Sequence, residues 1–401
     1  MASRLQLETL HQYMDTHQHL LYDCLSKLVQ IDTVNHITHG NENQGQQFLE
    51  QLCKELGMQV DRFTPDSVPG VPESSDYRPG RSGDIRENLV AVFPGRSESR
   101  ILLAAHIDTM PLGDPKSWQD DPLSGRIQDG YIFGRGAGDD KSGLAAAWFT
   151  LKTLSECGIV PAKTLLLGSY ADEEYGGGNG ALAMAVKYPC QCIINLDSPG
   201  FEEEAFGGSC YNLTLKSVRD DKSIASVFDV FTGLNLIKEA LEDCQKLPGV
   251  HIRLSSAEAG TGGGKEGTMS IAVYTDRSQE QTAQLLEALI LKLHPQFTAL
   301  NLTTAGFCKT TRYFHYGRTA AACLEADLLR NRLLERIGID PDTSASCLSD
   351  LSLFLRYGTA NSFNFGIPRG NGQSGGAHQA NECVSCEKLL QLAKDLVSIL
   401  L

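Results

Sequence analysis

The chain has 401 residues, of which 41% are hydrophobic, and it carries a formal net charge of −14. This length favours two domains, or one large domain with an insertion, and the hydrophobic fraction is sufficient for a packed core. The negative charge argues against nucleic acid and anionic membranes as partners, and no apolar run approaches the roughly 20 residues of a membrane span.

The twelve cysteines are scattered without the spacing of a disulfide framework. Such a distribution is typical of buried thiols in a reducing compartment. The first residues, Met1 to Leu7, lack the apolar core of a secretion signal. The sequence therefore predicts a cytoplasmic protein.

Apolar strands and amphipathic helices alternate over the first 200 residues. We expect helices at 8–30, 44–56 and 144–157 and one ending near 187, and strands at 58–63, 88–93, 100–106, 131–134, 164–170 and 192–196. A loop at 64–86 is longer than is usual in a compact domain, which is typical of functional or mobile segments. Strands that alternate with helices are typical of βαβ units and predict a mostly parallel sheet.

The pattern changes after residue 207. We expect strands at 211–217, 250–255, 269–274 and 305–314 and helices at 227–246 and 281–293, followed by helices at 324–337, 350–357 and 386–401 and a strand at 361–365. The βαββαβ order predicts an antiparallel sheet with two helices on one face. The expected architecture is an α/β domain, residues 1–207 and 317–401, interrupted by a smaller ferredoxin-like α+β domain, residues 208–316.

Two polar residues, His106 and Asp108, close the apolar strand at 100–106. Residues two apart in an extended chain point to the same face, and ligands of open α/β sheets bind at the carboxyl ends of strands. A neutral imidazole that donates its second N–H to a carboxylate is a good ligand for a transition metal. Alone, the pair is equally typical of a strand-end histidine beside a solvated aspartate.

Further metal-type side chains follow other predicted strands or lie near the carboxyl end of the chain. They are Asp139, Glu173, Glu174, Asp197 and His378. Two cations about 3.5–4 Å apart need a bridging carboxylate and two terminal ligands each. With His106 this set meets that demand, and one glutamate remains. Imidazole and carboxylate ligands of this kind suit Zn²⁺.

Five motifs in this order resemble the co-catalytic zinc amidohydrolase superfamily. They are His-x-Asp at 106–108, Gly-Arg-Gly-x-x-Asp at 134–139, Asp-Glu-Glu at 172–174, Asp197 after a strand, and Gly-x-His-x-x-Asn-Glu at 376–382. That superfamily includes acetylornithine deacetylase, succinyl-diaminopimelate desuccinylase, glutamate carboxypeptidase and the tripeptidases of the peptidase T type. Residues 101–147 are most similar to the acetylornithine deacetylase branch, whereas an aspartate at 197 in place of glutamate favours the tripeptidases.

The resemblance implies a site for two Zn²⁺ ions, for which Co²⁺ or Mn²⁺ could substitute. Asp139 would bridge the two metals. His106 and Asp197 would complete the coordination of one metal, and Glu174 and His378 would complete that of the other.

The resemblance also implies the residues of catalysis. Glu173 would be the general base that takes a proton from the metal-bridging water and returns it to the leaving amine. Asp108 would lie behind His106 and fix its tautomer. The peptide bond between Asp139 and Asp140 would be cis, as it is after the bridging aspartate of the family.

The insertion departs from the family pattern. Many relatives carry a histidine there, next to small residues, which reaches the neighbouring active site of a dimer as an oxyanion donor. The comparable segment, 223–226, has no histidine, and His251, His294 and His315 lie outside the motif. The asparagine of the family's Gly-x-Asn is present as Asn235, which would contact substrate. The resemblance implies a homodimer formed through the inserted domain.

The sequence thus predicts a dinuclear zinc hydrolase that cleaves an amide bond of an N-acyl amino acid or a short peptide. An aminopeptidase, or a di- or tripeptidase of the same superfamily, is the near alternative. A non-catalytic metal-binding relative is the alternative from another class of protein. The missing histidine of the insertion supports this last alternative, and the complete ligand set opposes it.

Overall fold

The computed structural model describes residues 4–202, 205–219, 224–260, 265–275, 277–310, 314–316, 331–332, 346–347 and 349–401. The chain forms two compact units. The first comprises Met1–Glu204 and Gly317–Leu401, and the second comprises Ala205–Tyr316. Along the chain, the second unit is therefore an insertion into the first.

Helices and strands alternate through the first unit, and the second unit contains most of the long strands. In chain order the helices are α1 (Arg4–Gln30), α2 (Glu42–Glu55), α3 (Lys141–Glu156), α4 (Asn179–Lys187), α5 (Ile224–Cys244), α6 (Gln279–Ala299), α7 (Leu351–Leu353) and α8 (Cys386–Leu400). The strands are β1 (Gln59–Phe63), β2 (Asn88–Phe93), β3 (Arg100–His106), β4 (Ile127–Gln128), β5 (Tyr131–Phe133), β6 (Thr164–Tyr170), β7 (Cys192–Asn195), β8 (Phe201–Glu202), β9 (Ala205–Ser217), β10 (Val250–Gly260), β11 (Glu266–Thr275), β12 (Leu302–Lys309), β13 (Phe314–Tyr316), β14 (Ser346–Cys347), β15 (Ser362–Phe365) and β16 (Cys383–Ser385).

The first unit is built on a seven-stranded sheet of order β1–β2–β6–β3–β7–β15–β8. Its four central strands, β6, β3, β7 and β15, are parallel, and the outer strands pair antiparallel. A separate sheet, β16–β5–β4, has three short strands. The expected α/β class with a mostly parallel sheet is confirmed.

Both faces of this sheet are covered, which explains why β3 reads as a continuous apolar run. Side chains alternate along a strand, so Leu103 and Ala105 join the core with α1, α3 and α8. Leu102 and Ala104 join a second core with α4 and the turn at 354–358. All four side chains are fully buried. Burial on both faces fixes the position at which β3 ends, and therefore the position of His106.

The inserted unit has a four-stranded antiparallel sheet of order β10–β11–β9–β12, and β13 also pairs with β9. Its core combines this sheet with α5 and α6. Helix α6 begins with a capping box in which Ser278 and Gln281 exchange side-chain and backbone hydrogen bonds. The strand order and the βαββαβ sequence are those of the expected ferredoxin-like module.

Several elements differ from their predicted form. Helix α3 begins at Lys141 rather than at 144, and the helix expected at 350–357 is the short α7 followed by a π-helical turn at 354–358. The strand expected at 305–314 is divided into β12 and β13. The helix expected at 324–337 lies almost entirely outside the described residues. Among the described helices, none is both long and apolar enough to cross a membrane.

Candidate metal centre

Three neighbouring parallel strands end at the candidate site. His106 is the last residue of β3, Glu173 and Glu174 follow β6, and Asp197 follows β7. Because β3 lies between β6 and β7 in the sheet, the residues after these strands meet at one edge. Ligand atoms of His106, Glu173 and Asp197 lie within 4.8 Å of one another, and so do those of His106, Asp139 and Glu174.

Asp139 reaches the same place by another route. It lies on the loop between β5 and α3, so it does follow a predicted strand, but that strand belongs to the small sheet rather than to the parallel one. Its Oδ1 is 3.1 Å from Nε2 of His106, and its Oδ2 is 3.1 Å from Nε2 of His378. Nε2 of His378 is also 2.8 Å from Oε2 of Glu174. The peptide bond between Asp139 and Asp140 is cis, as the resemblance implied.

Asp108 is buried behind this cluster, but its carboxylate does not hold the histidine. Nδ1 of His106 is 2.9 Å from the backbone carbonyl oxygen of Asp108 and 3.8 Å from its Oδ1. The carboxylate instead accepts hydrogen bonds from the backbone N–H groups of Glu173 and Glu174, at 3.0 and 3.1 Å, and from Nδ2 of Asn35, at 2.8 Å. The backbone carbonyl of Asp108 therefore takes the expected role of fixing the tautomer of His106. The Asp108 side chain instead holds the acidic turn, Glu173 and Glu174.

The site concentrates negative charge out of water. Burial and the charge of Asp197 raise the pKa of Glu173 well above its ordinary range. Burial and the charge of Asp139 raise the pKa of Glu174 to about 7. Burial and Asp197 also raise the pKa of Asp140. Since burial disfavours the charged form of a carboxyl group, a bound cation would stabilise the ionised form of these side chains.

The pKa of Asp139 and that of His378 shift so that both groups favour their charged forms. Burial opposes ionisation of Asp139, but Arg369 and the hydrogen bonds to His106 and His378 hold its pKa well below the usual range. Hydrogen bonds to Asp139 and Glu174 raise the pKa of His378 to about 10. Asp139 is therefore the carboxylate that stays charged, and the two histidines flank it.

Arg369 is a site residue that none of the five sequence motifs contains. It follows β15, the fourth parallel strand, and its Nη1 lies 2.9 Å from Oδ2 of Asp139. Its other terminal nitrogen donates to the carboxylate of Asp197. A strand was expected at 361–365. Because residues that closely follow parallel strands lie at the same edge of the sheet, the sequence could have indicated Arg369 as a neighbour of the site.

These residues fit a pair of divalent cations. Imidazole nitrogen and carboxylate oxygen are donors that suit Zn²⁺, Co²⁺ and Mn²⁺. Asp139 presents one oxygen to each of two histidines, which is the arrangement a bridging carboxylate needs.

The remaining predicted site residue, Asn235, belongs to the inserted unit, where it is exposed on α5. Its contact with substrate stays a prediction. Ser223, in the segment that lacks the family histidine, lies outside the described residues, and Ile224 to Ser226 form the first turn of α5.

A family model described as peptidase family M20/M25/M40 matches residues 102–401. The chain belongs to this family. Members of the M20 family related to this chain are peptidases and amidohydrolases, so the protein is an enzyme of the hydrolase class. The match includes every residue of the candidate metal centre.

Two curated M20 relatives illustrate how far sequence similarity extends. The chain is 30% identical over 171 residues to an N-formyl-4-amino-5-aminomethyl-2-methylpyrimidine deformylase of Halalkalibacterium halodurans, covering 42% of this chain and 36% of the relative. It is 35% identical over 137 residues to a succinyl-diaminopimelate desuccinylase of a Bradyrhizobium species, covering 34% of this chain and 32% of the relative. The matched part of the chain spans about a third of the length of these curated relatives.

A solved structure shares its fold with most of this chain. The crystal structure of a tripeptidase from Staphylococcus aureus aligns with a TM-score of 0.66, covering 96% of this chain and 98% of the tripeptidase. The sequence identity is 18%, so this likeness concerns the fold alone.

Proposed function

We propose that the protein is a dinuclear zinc hydrolase that cleaves the amide bond of an N-acyl amino acid or a short peptide. The observation that carries the proposal is the Asp139 carboxylate, whose two oxygens face two different histidines, 3.1 Å from each. The carboxylates of Glu174 and Asp197 complete a donor set for two cations.

The ligands would divide between the two metals as the contacts suggest. Asp139 would bridge them, His106 and Asp197 would hold one, and Glu174 and His378 would hold the other. When bound, two such ions lower the pKa of a water molecule and stabilise the oxyanion that develops on the scissile carbonyl. Co²⁺ or Mn²⁺ could replace Zn²⁺, because the same nitrogen and oxygen donors suit them.

Glu173 is the residue proposed to move the proton. Its side chain is buried, and its backbone N–H is held 3.0 Å from the Asp108 carboxylate, so its position is fixed. A carboxylate with a raised pKa is a stronger base than one in water. Glu173 would take the proton from the attacking water and return it to the leaving amine.

The two histidines of the site differ in their exposure to solvent, and this difference supports entry of a small substrate from the side of the more exposed one. The side chain of His378 is 45% exposed, whereas that of His106 is 1% exposed. A substrate would approach along the His378 side. The residues behind His106 exclude water from the protein side of the site.

The names of the curated relatives favour deacylation over peptide cleavage. One relative is named a deformylase and another a desuccinylase, and each name describes removal of an acyl group from nitrogen. The likeness to a tripeptidase is one of fold. We therefore propose N-acyl compounds as the first substrates to examine, with di- and tripeptides as the second group.

We further propose that the enzyme acts in the cytoplasm as a homodimer formed through the inserted unit. The cysteines support a reducing compartment, since ten of those in the described part of the chain form no disulfide. Gel filtration coupled to light scattering of the full chain and of a chain without residues 208–316 would test the dimer.

The central experiment joins metal analysis to activity. The purified chain is expected to contain about two metals per molecule and to hydrolyse members of a panel of N-acetyl, N-formyl and N-succinyl amino acids or dipeptides. Glu173→Gln should retain the metals and lose roughly 100- to 10,000-fold in kcat, as general bases do. Glu156→Gln is the matched control, because Glu156 pairs with Lys152 at the surface of α3.

Two results would contradict the proposal. A protein without bound metal, whose Glu173→Gln variant is as active as wild type, has no such mechanism. A protein that holds two metals but hydrolyses nothing in the panel would instead be the non-catalytic relative.

A further inference from the structure

A buried carboxylate supports the loop that carries Asp139. Oε1 of Glu382 accepts hydrogen bonds from the backbone N–H groups of Gly138 and Asp139, both at 3.0 Å. Oε2 of Glu382 accepts from Nη1 of Arg135 at 2.7 Å. The side chains of Glu382 and Arg135 are 0% and 3% exposed. This ion pair is therefore buried in the first unit, and it is hydrogen-bonded to the backbone of Asp139, one of the proposed ligands.

The arginine of the pair supports the loop that carries the second histidine. Arg135 donates to the backbone carbonyls of His378 and Gln379, both at 3.3 Å, and to that of Pro111 at 3.1 Å. Its guanidinium also lies 5.3 Å from the centre of the Trp118 ring. One side chain thus joins three chain segments, and one of them presents His378 to Oδ2 of Asp139.

We propose that Arg135 and Glu382 are positioning residues that fix Asp139 relative to His378, so that their ion pair sets the affinity of the protein for divalent metal. This inference rests on the proposed metal centre. Glu382 holds the backbone of one ligand, Arg135 holds the backbone of the other, and the bond between them closes the connection. Groups that orient metal ligands in this way typically change metal affinity by about 10- to 100-fold.

If Arg135 and Glu382 only stabilise the fold, their variants should change stability without changing metal affinity. Removal of one partner of a buried ion pair leaves an uncompensated charge and destabilises the fold strongly. Removal of both the Arg135 and the Glu382 charge leaves no uncompensated charge and so avoids that loss of stability. A double variant should therefore regain stability, but it cannot regain the hydrogen bonds to the His378 loop. Stability and metal affinity separate in that variant only if the pair positions the ligands.

The experiment is a titration of the full-length chain with Co²⁺, followed by visible absorption, with thermal unfolding measured in parallel. The variants are Arg135→Met, Glu382→Gln and the double variant. We expect all three to bind Co²⁺ about 10- to 100-fold more weakly than wild type. The double variant should unfold at a higher temperature than either single variant.

Two further variants complete the set. Arg135→Lys keeps the charge but lacks the planar fork that reaches several acceptors at once, so it should fold and still bind Co²⁺ more weakly. Glu50→Gln is the matched control, because it breaks the pair of Glu50 with Arg62, which joins α2 to β1. The control should bind Co²⁺ as wild type does.

The Co²⁺ affinities of these variants distinguish a positioning role from a purely structural one. Wild-type Co²⁺ affinity in the double variant and in Arg135→Lys would overturn the inference and leave the pair a structural role only. Weakened affinity in these variants with an unchanged control supports it. If wild type itself binds no divalent cation, the proposed function fails, and this inference fails with it.

Discussion

Replacing Arg369 with methionine is expected to tighten metal binding and to destabilise the metal-stripped protein. The guanidinium donates to Oδ2 of Asp139 at 2.9 Å and to the carboxylate of Asp197. Both carboxylates belong to the proposed ligand set. A cation that takes these oxygens as ligands must therefore compete with the arginine, whose side chain is only 17% exposed.

The size of the effect follows from these contacts. A hydrogen bond to a charged group contributes about 1.5–3 kcal/mol net. If a metal must displace one of the two bonds, removal of Arg369 should tighten binding by roughly 10- to 100-fold, since about 1.4 kcal/mol is tenfold in affinity. Without metal the variant should unfold at a lower temperature than wild type, because the buried carboxylates of Asp139 and Asp197 lose the cation that pairs with both.

Isothermal titration calorimetry with Zn²⁺ and thermal unfolding in EDTA measure the two effects. Arg62→Met is the control, because Arg62 pairs with Glu50 and Glu87 away from the parallel strand ends. The reasoning would be refuted by a variant that binds Zn²⁺ more weakly than wild type. Arg369 would then assist the ligands rather than compete with the metal.

Three further substitutions test separate parts of the structure. A Cβ added at Gly178 would lie 1.7 Å from the backbone oxygen of Asp172, so Gly178→Ala should displace the acidic turn and abolish hydrolysis; Gly200→Ala, which meets nothing within 4 Å, should remain active in the same assay. Ser278→Ala removes the capping box of α6 and should cost about 1 kcal/mol in urea unfolding. Burial raises the pKa of Asp395 from 3.8 to about 6, so the folded state binds the proton more tightly and wild type loses stability as pH rises through 6. Asp395→Asn should therefore gain up to about 3 kcal/mol over wild type at pH 7.5 but little at pH 4, measured by urea unfolding.

The main sheet could be predicted from the sequence because its signals are local. Strand β3 was expected at 100–106 and lies at Arg100–His106. Five apolar residues followed by His106 and Asp108 indicate a buried strand without reference to the remaining chain. The same reasoning located Glu173 and Asp197 after strands. It could not give the order β6–β3–β7, which depends on how distant segments pair.

The parts of the site that were missed depend on contacts between distant loops. Asn35 lies in a turn that is only recognisably polar in the sequence, yet it donates to the carboxylate of Asp108, far along the chain. Arg369 follows a predicted strand, but its partners, Asp139 and Asp197, lie far away in the sequence. Asp108 was assigned to the ring of His106, and its carboxylate holds two backbone amides instead. No periodicity encodes such choices of partner.

The position of the insertion has a consequence for how the protein matures. It separates Asp197 from His378 and Arg369, so a growing chain completes most of the proposed ligand set before the inserted unit is made. The last histidine, His378, follows much later, on the loop before β16 and α8. A ribosome-bound chain halted after residue 360 should therefore take up metal poorly, and full loading should coincide with docking of the final helix against α1 and α3.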